Sequence, residues 1–257
     1  MHSVKYENLL PIARLCGLTN FTVLGCNEDK LGALLSIGLN HLPIKTLNIA
    51  FRYDIERNLS IRQLQDIFNL MNLTTLEIRF WVRSRYPDHF EQELQDVFSK
   101  LTNIKHLSLL SQNIKFGKLM SMLKPNSLHS FQLRIIKFSE VVGTISLEDI
   151  LKHQEGSLRR LYWGHNKTRK GRVYSLQELD RVIKVECRDD NSQELRDDLT
   201  QIRKILRGTR FPQLRQVVLN ECCYFIKRHS KENIYVVPCN TIMSTNNNNL
   251  LEYNLFV

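Results

Sequence analysis

The amino-acid sequence predicts an α/β solenoid, a horseshoe in which a parallel sheet lines the concave side and helices cover the convex side. Two observations carry this prediction. An apolar frame of the form L-x-x-L-x-L recurs at a nearly constant spacing, and segments with helical apolar spacing lie between its copies.

No window of the sequence approaches the roughly 18 unbroken apolar residues of a membrane span, so we expect no membrane partner.

The apolar frame is clearest near the two ends of the chain. Residues 18–26 read L-x-x-L-x-L-x-x-C with aromatic and aliphatic substitutes, and residues 214–222 repeat the pattern. Six further copies begin at Ile44, Leu73, Ile104, Leu128, Leu158 and, weakly, Val182. The starting positions are 26, 29, 31, 24, 30, 24 and 32 residues apart, with a mean of 28. Eight copies at so regular a period predict that each is one structural repeat.

Helices are predicted between the strands. Residues 60–71 and 90–101 place apolar side chains three and four positions apart, and Ser60 is a typical helix N-cap. Shorter helices are predicted at 146–151 and 175–179. The longest predicted helix, 192–206, has one apolar face formed by Leu195, Leu199, Ile202, Ile205 and Leu206.

These residues resemble the leucine-rich-repeat proteins of the long, roughly 28-residue class, as found in ribonuclease inhibitors and many F-box proteins. The resemblance covers residues 18 to about 222. The ninth frame position normally holds Asn or Cys, which caps main-chain groups where the strand turns away. Only Cys26, Asn166 and Cys222 fill it here. The other copies, which therefore predict irregular loops, have Arg52, Trp81, Gln112, Ile136 and Asp190.

Three segments are expected along the chain. Residues 1–17 form a short N-terminal segment, and residues 18–232 form the leucine-rich-repeat domain of about eight repeats. Residues 233–257 contain two short terminal strands, at 234–238 and 251–257, with an Asn-rich linker of low complexity between them.

The resemblance implies protein recognition. It indicates a protein–protein interaction scaffold, specifically the substrate-receptor repeat portion of an F-box-type ubiquitin ligase or a related adaptor. An F-box needs more residues than the seventeen that precede Leu18, and no F-box is found. We therefore expect either the repeat portion of a longer gene product or a repeat protein without an adaptor-binding module.

The predicted binding surface lies on the concave face. Alternation along each strand directs the frame residues inward and the residues between them outward. On the fifth to seventh repeats we expect a partner-binding patch formed by Arg134, Arg160, Tyr162, Lys184 and Arg188. Because Arg can hold a carboxylate or phosphate through two parallel hydrogen bonds, the predicted partner is an acidic or phosphorylated protein segment. The alternative is that these charges only solvate the surface.

A basic nucleic-acid-associated protein is the alternative function. The net charge is +10; residues 1–150 carry 17 Lys/Arg and 14 Asp/Glu, net +3, and the remaining residues carry 19 and 12, net +7. Residues 159–172 contain six basic residues interleaved with aromatic ones, a pattern typical of nucleic-acid contact. However, Trp163 occupies a frame position and is expected in the core, which makes residues 166–172 an ordinary loop. Residues 227–231 are interpreted in the same way.

No catalytic, cofactor or metal site is predicted. The sequence has no G-x-S-x-G and no Gly-rich phosphate loop. The pair Asp197 and Asp198 is expected on the exposed face of a helix, and Asp189 and Asp190 in a turn. None of the six cysteines forms a C-x-x-C pair, so we interpret them as buried packing residues. The N-terminus lacks a secretory signal, which favours an intracellular location, in the cytoplasm or nucleus.

Overall fold

A computed structural model describes residues 17–26, 28–53, 61–82, 88–111, 116–135, 151–163, 174–175, 193–207, 211–219, 222–230 and 234–238. They belong to two compact units. The first unit contains the described residues up to Leu128 together with Ile135 and 151–154, and the second contains residues 129–134 and those from 155 onward. Both are α/β, and five of the eight described strand pairings are parallel. The predicted α/β class with a mostly parallel arrangement of strands is confirmed.

The first unit contains four parallel strands in sequence order. They are β1 (Asn20–Cys26), β2 (Thr46–Tyr53), β3 (Thr75–Val82) and β4 (His106–Ser111). Their register aligns the central frame residues of successive copies, which are Phe21, Leu47, Leu76 and Leu107. Each of the predicted copies in this unit is therefore a strand, and the sequence frames are in step across the sheet.

One main-chain contact recurs at the start of these strands. In each copy, the second position of the frame directly follows the first apolar residue. The carbonyl at this position accepts hydrogen bonds from the N–H groups at the second and third positions of the next copy. The acceptors are Thr19 for Lys45 and Thr46 (2.7 and 2.9 Å), Lys45 for Thr74 and Thr75 (2.9 and 3.0 Å), and Thr74 for Lys105 and His106 (2.8 and 3.0 Å). We call the residues at the second position of each copy "rungs". The sequence repeat is thus also a repeat of main-chain geometry.

The helices of the first unit confirm one sequence prediction and correct another. They are α1 (Glu28–Ser36), α2 (Leu64–Ile67), α3 (Asp88–Ser99) and α4 (Phe116–Met122), with a 3-10 turn at Leu70–Asn72. The α3 helix matches the prediction for residues 90–101. The prediction of one continuous helix over 60–71 was wrong: Phe68 is extended and pairs with Leu42 as an isolated bridge. Leu64, Phe68 and Leu70 are nevertheless all buried, so helical spacing is satisfied without a continuous helix.

Phenylalanine rings link successive elements in the core of the first unit. Phe51 stacks on Phe80 with ring centroids 5.4 Å apart, and Phe80 meets Phe90 edge to face at 5.3 Å. Phe21 packs against Phe68 at 5.3 Å. Such pairs contribute about 0.5–1.5 kcal/mol each beyond the burial of apolar area. They connect β2, β3 and α3 into one core.

The second unit combines parallel and antiparallel pairing. Its elements are β5 (Ser130–Ile135), β6 (Arg160–Trp163), β7 (Tyr174–Ser175), α5 (Gln193–Arg207), β8 (Gln216–Leu219), β9 (Cys222–Arg228) and β10 (Ile234–Pro238). The strand order is β5-β6-β8-β9-β10-β7, with parallel pairing as far as β8 and antiparallel pairing beyond it. Phe131, Leu161 and Val217 are register partners, so the frame is again in step.

Several predictions for the second unit are corrected. The strand β6 pairs directly with β8, so the copy that begins at Leu158 is followed in the sheet by the copy that begins at Leu214. The weak copy that begins at Val182 lies outside the described residues. Ser175 ends the strand β7, and the rest of the helix predicted at 175–179 lies outside the described residues. Cys222 begins the unpredicted strand β9, whereas the strand predicted at 234–238 is confirmed as β10.

Two further predictions concern the ninth frame position and the membrane. Arg52 and Trp81, which replace Asn or Cys at this position, lie inside β2 and β3 and are register partners. These two strands therefore continue where a strand of the regular repeat would turn away. In the ranges that the structure describes, no helix is both long and apolar enough to cross a membrane.

Candidate charged surface

The structure places three of the five predicted binding residues. Arg160 begins β6 and is exposed, and Tyr162 lies two residues further on the same strand. Arg134 lies in β5, the strand that pairs with β6. Lys184 and Arg188 lie outside the described residues. Alternation along the strand puts Arg160 and Tyr162 on one face of the sheet, as predicted.

Tyr162 does not have the exposed position that was expected for it. Only 8% of its surface is accessible, and its ring packs in a cluster with Val218 and Cys223, bordered by Phe225. The register explains this burial: Tyr162 is the partner of Val218, and Val218 is the partner of Cys223 on the antiparallel strand β9. Because β9 was not predicted, its contribution to this face could not be anticipated.

In the first unit the corresponding face carries charges that pair with each other. The Arg79 Nε donates to the Glu77 Oε1 at 2.5 Å, between side chains two residues apart on β3. Both side chains are largely buried. Arg79 therefore has a carboxylate partner within the protein.

The second unit has a different arrangement, which begins at its rungs. The His129 carbonyl accepts from the N–H groups of Arg159 and Arg160, at 2.9 and 3.1 Å. The Arg159 carbonyl accepts from Arg215 at 2.8 Å, and the Arg215 carbonyl accepts from the Ile226 N–H at 2.7 Å. The rungs His129, Arg159 and Arg215 are thus joined in series. Lys227 is the residue directly after Ile226, whose N–H makes the last of these hydrogen bonds. We call Arg159, Arg160, Arg215 and Lys227 the "basic ledge".

All four side chains of the basic ledge are exposed. Within the described part of the chain, Arg160, Arg215 and Lys227 make no ion pair, and the Arg159 Nε donates only a long hydrogen bond, 3.4 Å, to the Gln213 Oε1. The strands β6, β8, β9 and β10 contain neither Asp nor Glu. The basic ledge is therefore a positively charged surface whose charges are not neutralised by neighbouring strands.

The neighbouring Arg228 belongs to the opposite face of β9. Its side chain is half-buried, and its Nη2 donates to the Phe211 carbonyl at 3.1 Å. Burial lowers the pKa of the Arg228 guanidinium from its usual value. Alternation along β9 thus separates a structural arginine from the exposed Lys227.

The described residues of the first unit do not form a comparable ledge. Its rungs are Thr19, Lys45, Thr74 and Lys105, so a threonine separates the two lysines. The sequence does show basic residues at the second position of the frame, as in Arg159 and Arg215. The prediction considered only strand alternation and therefore selected other positions.

Asp198, Cys26 and Cys223 have buried positions in the described residues. Asp198 is completely buried, whereas its neighbour Asp197 is exposed, which corrects the prediction that both face solvent. The Tyr224 hydroxyl donates to the Asp198 Oδ2 at 3.2 Å. Cys26 and Cys223 are buried, in agreement with their interpretation as packing residues. Within the described ranges, no three His, Cys, Asp or Glu side chains are grouped so that they could hold a metal ion.

No family model matches this sequence, and no curated protein and no solved structure matches it at a significant level.

Proposed function

We propose that this chain is a leucine-rich-repeat solenoid that works as a protein–protein interaction scaffold and not as an enzyme. The supporting observation is the coincidence of three repeats: the apolar frame, the strand register and the rung hydrogen bonds all advance together. Stacked repeats present an extended surface formed by side chains from several strands. Such a surface is suited to binding a protein.

The resemblance to F-box-type repeat proteins leads to a narrower proposal. The chain is the substrate-receptor repeat portion of a ubiquitin ligase, or a related adaptor. This step rests on family resemblance alone, since a fold does not determine a function.

The proposed partner carries negative charge. The chain has 36 Lys and Arg against 26 Asp and Glu, and the excess is largest after residue 150. Arg134, Arg160, Tyr162, Lys184 and Arg188 remain the proposed partner-binding residues, although the burial of Tyr162 reduces its contact area. An acidic or phosphorylated protein segment is complementary to these arginines and lysine.

A basic nucleic-acid-associated protein is the second candidate, and the unpaired charge of the basic ledge favours it. The two functions separate by salt dependence. The purified 257-residue chain is applied to immobilised duplex and single-stranded DNA and, in parallel, used to capture proteins from nuclease-treated extract at physiological salt. The scaffold function predicts reproducible capture of specific proteins and release from DNA at low salt. Retention on DNA with a steep dependence on salt, without captured proteins, would overturn it.

A further inference from the structure

We propose that the basic ledge binds an extended acidic segment of a partner protein. This inference rests on the proposed scaffold function and assigns it a surface at the edge of the sheet where β6 and β8 begin and the antiparallel β9 ends. The surface shares only Arg160 with the residues predicted from the sequence.

The spacing of the ledge suits an extended peptide. Main-chain hydrogen bonds join the rungs Arg159 and Arg215 and continue to β9, so their side chains start from neighbouring strands, about 4.8 Å apart. In an extended peptide, side chains on the same side repeat about every 6.6 Å. Long arginine and lysine side chains can adjust to this difference. Alternation puts Arg159 and Arg215 on one face of this edge and Arg160 and Lys227 on the other. Two carboxylates on one side of a peptide that lies along the edge can therefore each reach a cation of one of these pairs.

The cations are also available to a ligand. In the first unit, the carboxylate of Glu77 pairs with the guanidinium of Arg79. On the basic ledge, the exposed cations have no carboxylate partner within the described residues. An acidic segment would reduce the repulsion between them and form charge-assisted hydrogen bonds with the guanidinium groups.

A peptide fits this surface better than single-stranded nucleic acid does. Binding of single strands combines cations with exposed aromatic rings on which bases stack. The large apolar side chains that are exposed in the described residues are Leu24, Met71 and Met122, none of which is aromatic. Phe225 and Tyr235, the aromatic residues on the same face of β9 and β10, are both half-buried. The exposed His229 packs its ring edge to face on Tyr235, with ring centroids 5.6 Å apart. Within the described residues the ledge thus offers several cations beside this single exposed ring.

The test compares two variants of equal charge. One is R159Q/R215Q/K227Q, which removes the ledge. The control is K45Q/K105Q/K118Q, which removes three positive charges from the first unit, including both of its basic rungs. Fluorescence anisotropy measures binding of a fluorescein-labelled decapeptide of alternating Glu and Ser, with a Gln/Ser decapeptide and a ten-nucleotide oligothymidylate as comparison probes.

We expect the ledge variant to bind the acidic peptide about tenfold more weakly than the wild-type chain, and the control variant to remain within about twofold. An equal loss in both variants would mean that only net charge matters and would overturn the proposal. The same holds if the wild-type chain does not bind the acidic peptide, or binds it no better than the neutral one. Tighter binding of oligothymidylate that is lost in the ledge variant would assign the ledge to nucleic acid.

Folding and the scaffold function are checked separately. Because the substituted residues are exposed, apart from the half-buried Lys105 of the control, both variants should melt within a few degrees of the wild-type chain. If the triple variant melts early, R160Q/K227Q replaces it, with an expected loss of about fivefold and the same overturning result. If the wild-type chain captures specific proteins and the ledge variant captures them equally well, the ledge proposal fails while the scaffold function stands. Capture of no protein by the wild-type chain contradicts the scaffold function itself.

Discussion

Gln154 shows how one buried residue completes a turn between repeats. Its side chain is completely buried, its Oε1 accepts from the N–H groups of Ser127 and Leu128 at 2.9 Å each, and its Nε2 donates to the Lys124 carbonyl at 3.0 Å. Three main-chain groups are thereby satisfied without water. The partners are 26 to 30 residues away in sequence, so no local pattern identifies Gln154 as structural.

Replacing this amide by an apolar side chain of similar size should therefore be costly. We expect Q154L to lower the free energy of unfolding by about 2–4 kcal/mol, because two N–H groups and one carbonyl lose their partner. The matched control is Q132L: Gln132 is also buried, but its Oε1 has no hydrogen-bond partner. Q132L should change stability by less than about 1 kcal/mol. Chemical denaturation of the three proteins measures the difference, and equal effects of the two substitutions would show that Gln154 does not have this role.

Cys26 gives a prediction that depends on pH. Burial raises the pKa of its thiol to about 12, a rise that the nearby Lys30 charge partly offsets. The unfolded chain ionises this thiol from about pH 8.5, so the unfolded state gains free energy from ionisation above that pH while the folded state does not. The contribution of Cys26 to stability is thus present below about pH 8.5 and is lost as the pH rises toward 12.

The comparison of wild-type and C26A proteins isolates this effect. Between pH 9 and pH 11 the stability of the wild-type chain should fall more steeply than that of C26A, by up to about 1.4 kcal/mol per pH unit. Removal of the side chain also leaves a cavity, but that cost does not vary with pH. Parallel stability curves for the two proteins over this range would contradict a buried thiol at position 26.

At the scale of secondary-structure elements, a buried polar contact attaches α5 to β9. Asp198 on the helix accepts from the hydroxyl of Tyr224 on the strand, and both side chains are buried. The helix and its apolar face were predicted correctly: Leu199, Ile202 and Leu206 are all buried. Asp198 was missed because an aspartate next to an apolar stripe is normally exposed, and its partner lies on a strand that was not predicted.

The Y224F variant tests this attachment. Loss of the hydroxyl leaves a buried carboxylate oxygen with one donor fewer, and we expect the protein to be destabilised by about 1–2 kcal/mol. D197N, which changes the exposed neighbour of Asp198, should stay within about 0.5 kcal/mol of the wild-type chain. Thermal and urea denaturation of the purified variants provide the measurement. A neutral Y224F would mean that the hydroxyl bond does not help to attach α5 to β9.

The same scale explains where sequence prediction of the elements succeeded. Strands that share a frame were found because period-two alternation and a constant spacing reinforce each other, as in Leu47, Leu76 and Leu107. The prediction for 60–71 was wrong because apolar spacing defines a buried face but not the continuity of a helix. The strand β9, in which Tyr224 and Ile226 are buried on one face, was missed since it lies beyond the last copy of the frame and residues 227–231 were interpreted as a loop.

At the scale of the molecule, the sequence predicts the repeat but not the surface that the repeat presents. The frame positions determine which strands neighbour each other, except where β6 is followed by β8 and not by the copy that begins at Val182. The basic ledge depends on that exception, because it brings Arg215 next to Arg159. A charged surface formed by residues 56 positions apart could not be identified without the strand order.

The most direct test of the stacked repeats is amide hydrogen exchange, measured by NMR, at the rungs. Five rung amides donate to the carbonyl of the preceding rung: Lys45, Thr74, Lys105, Arg159 and Arg215. Asn103 and Gln213 serve as controls, because their N–H groups have no main-chain acceptor within the described residues. If the repeats stack in register, all five rung amides should exchange at least about a hundredfold more slowly than the two control amides. Exchange of the five rung amides at the rate of the controls would contradict the stacked arrangement.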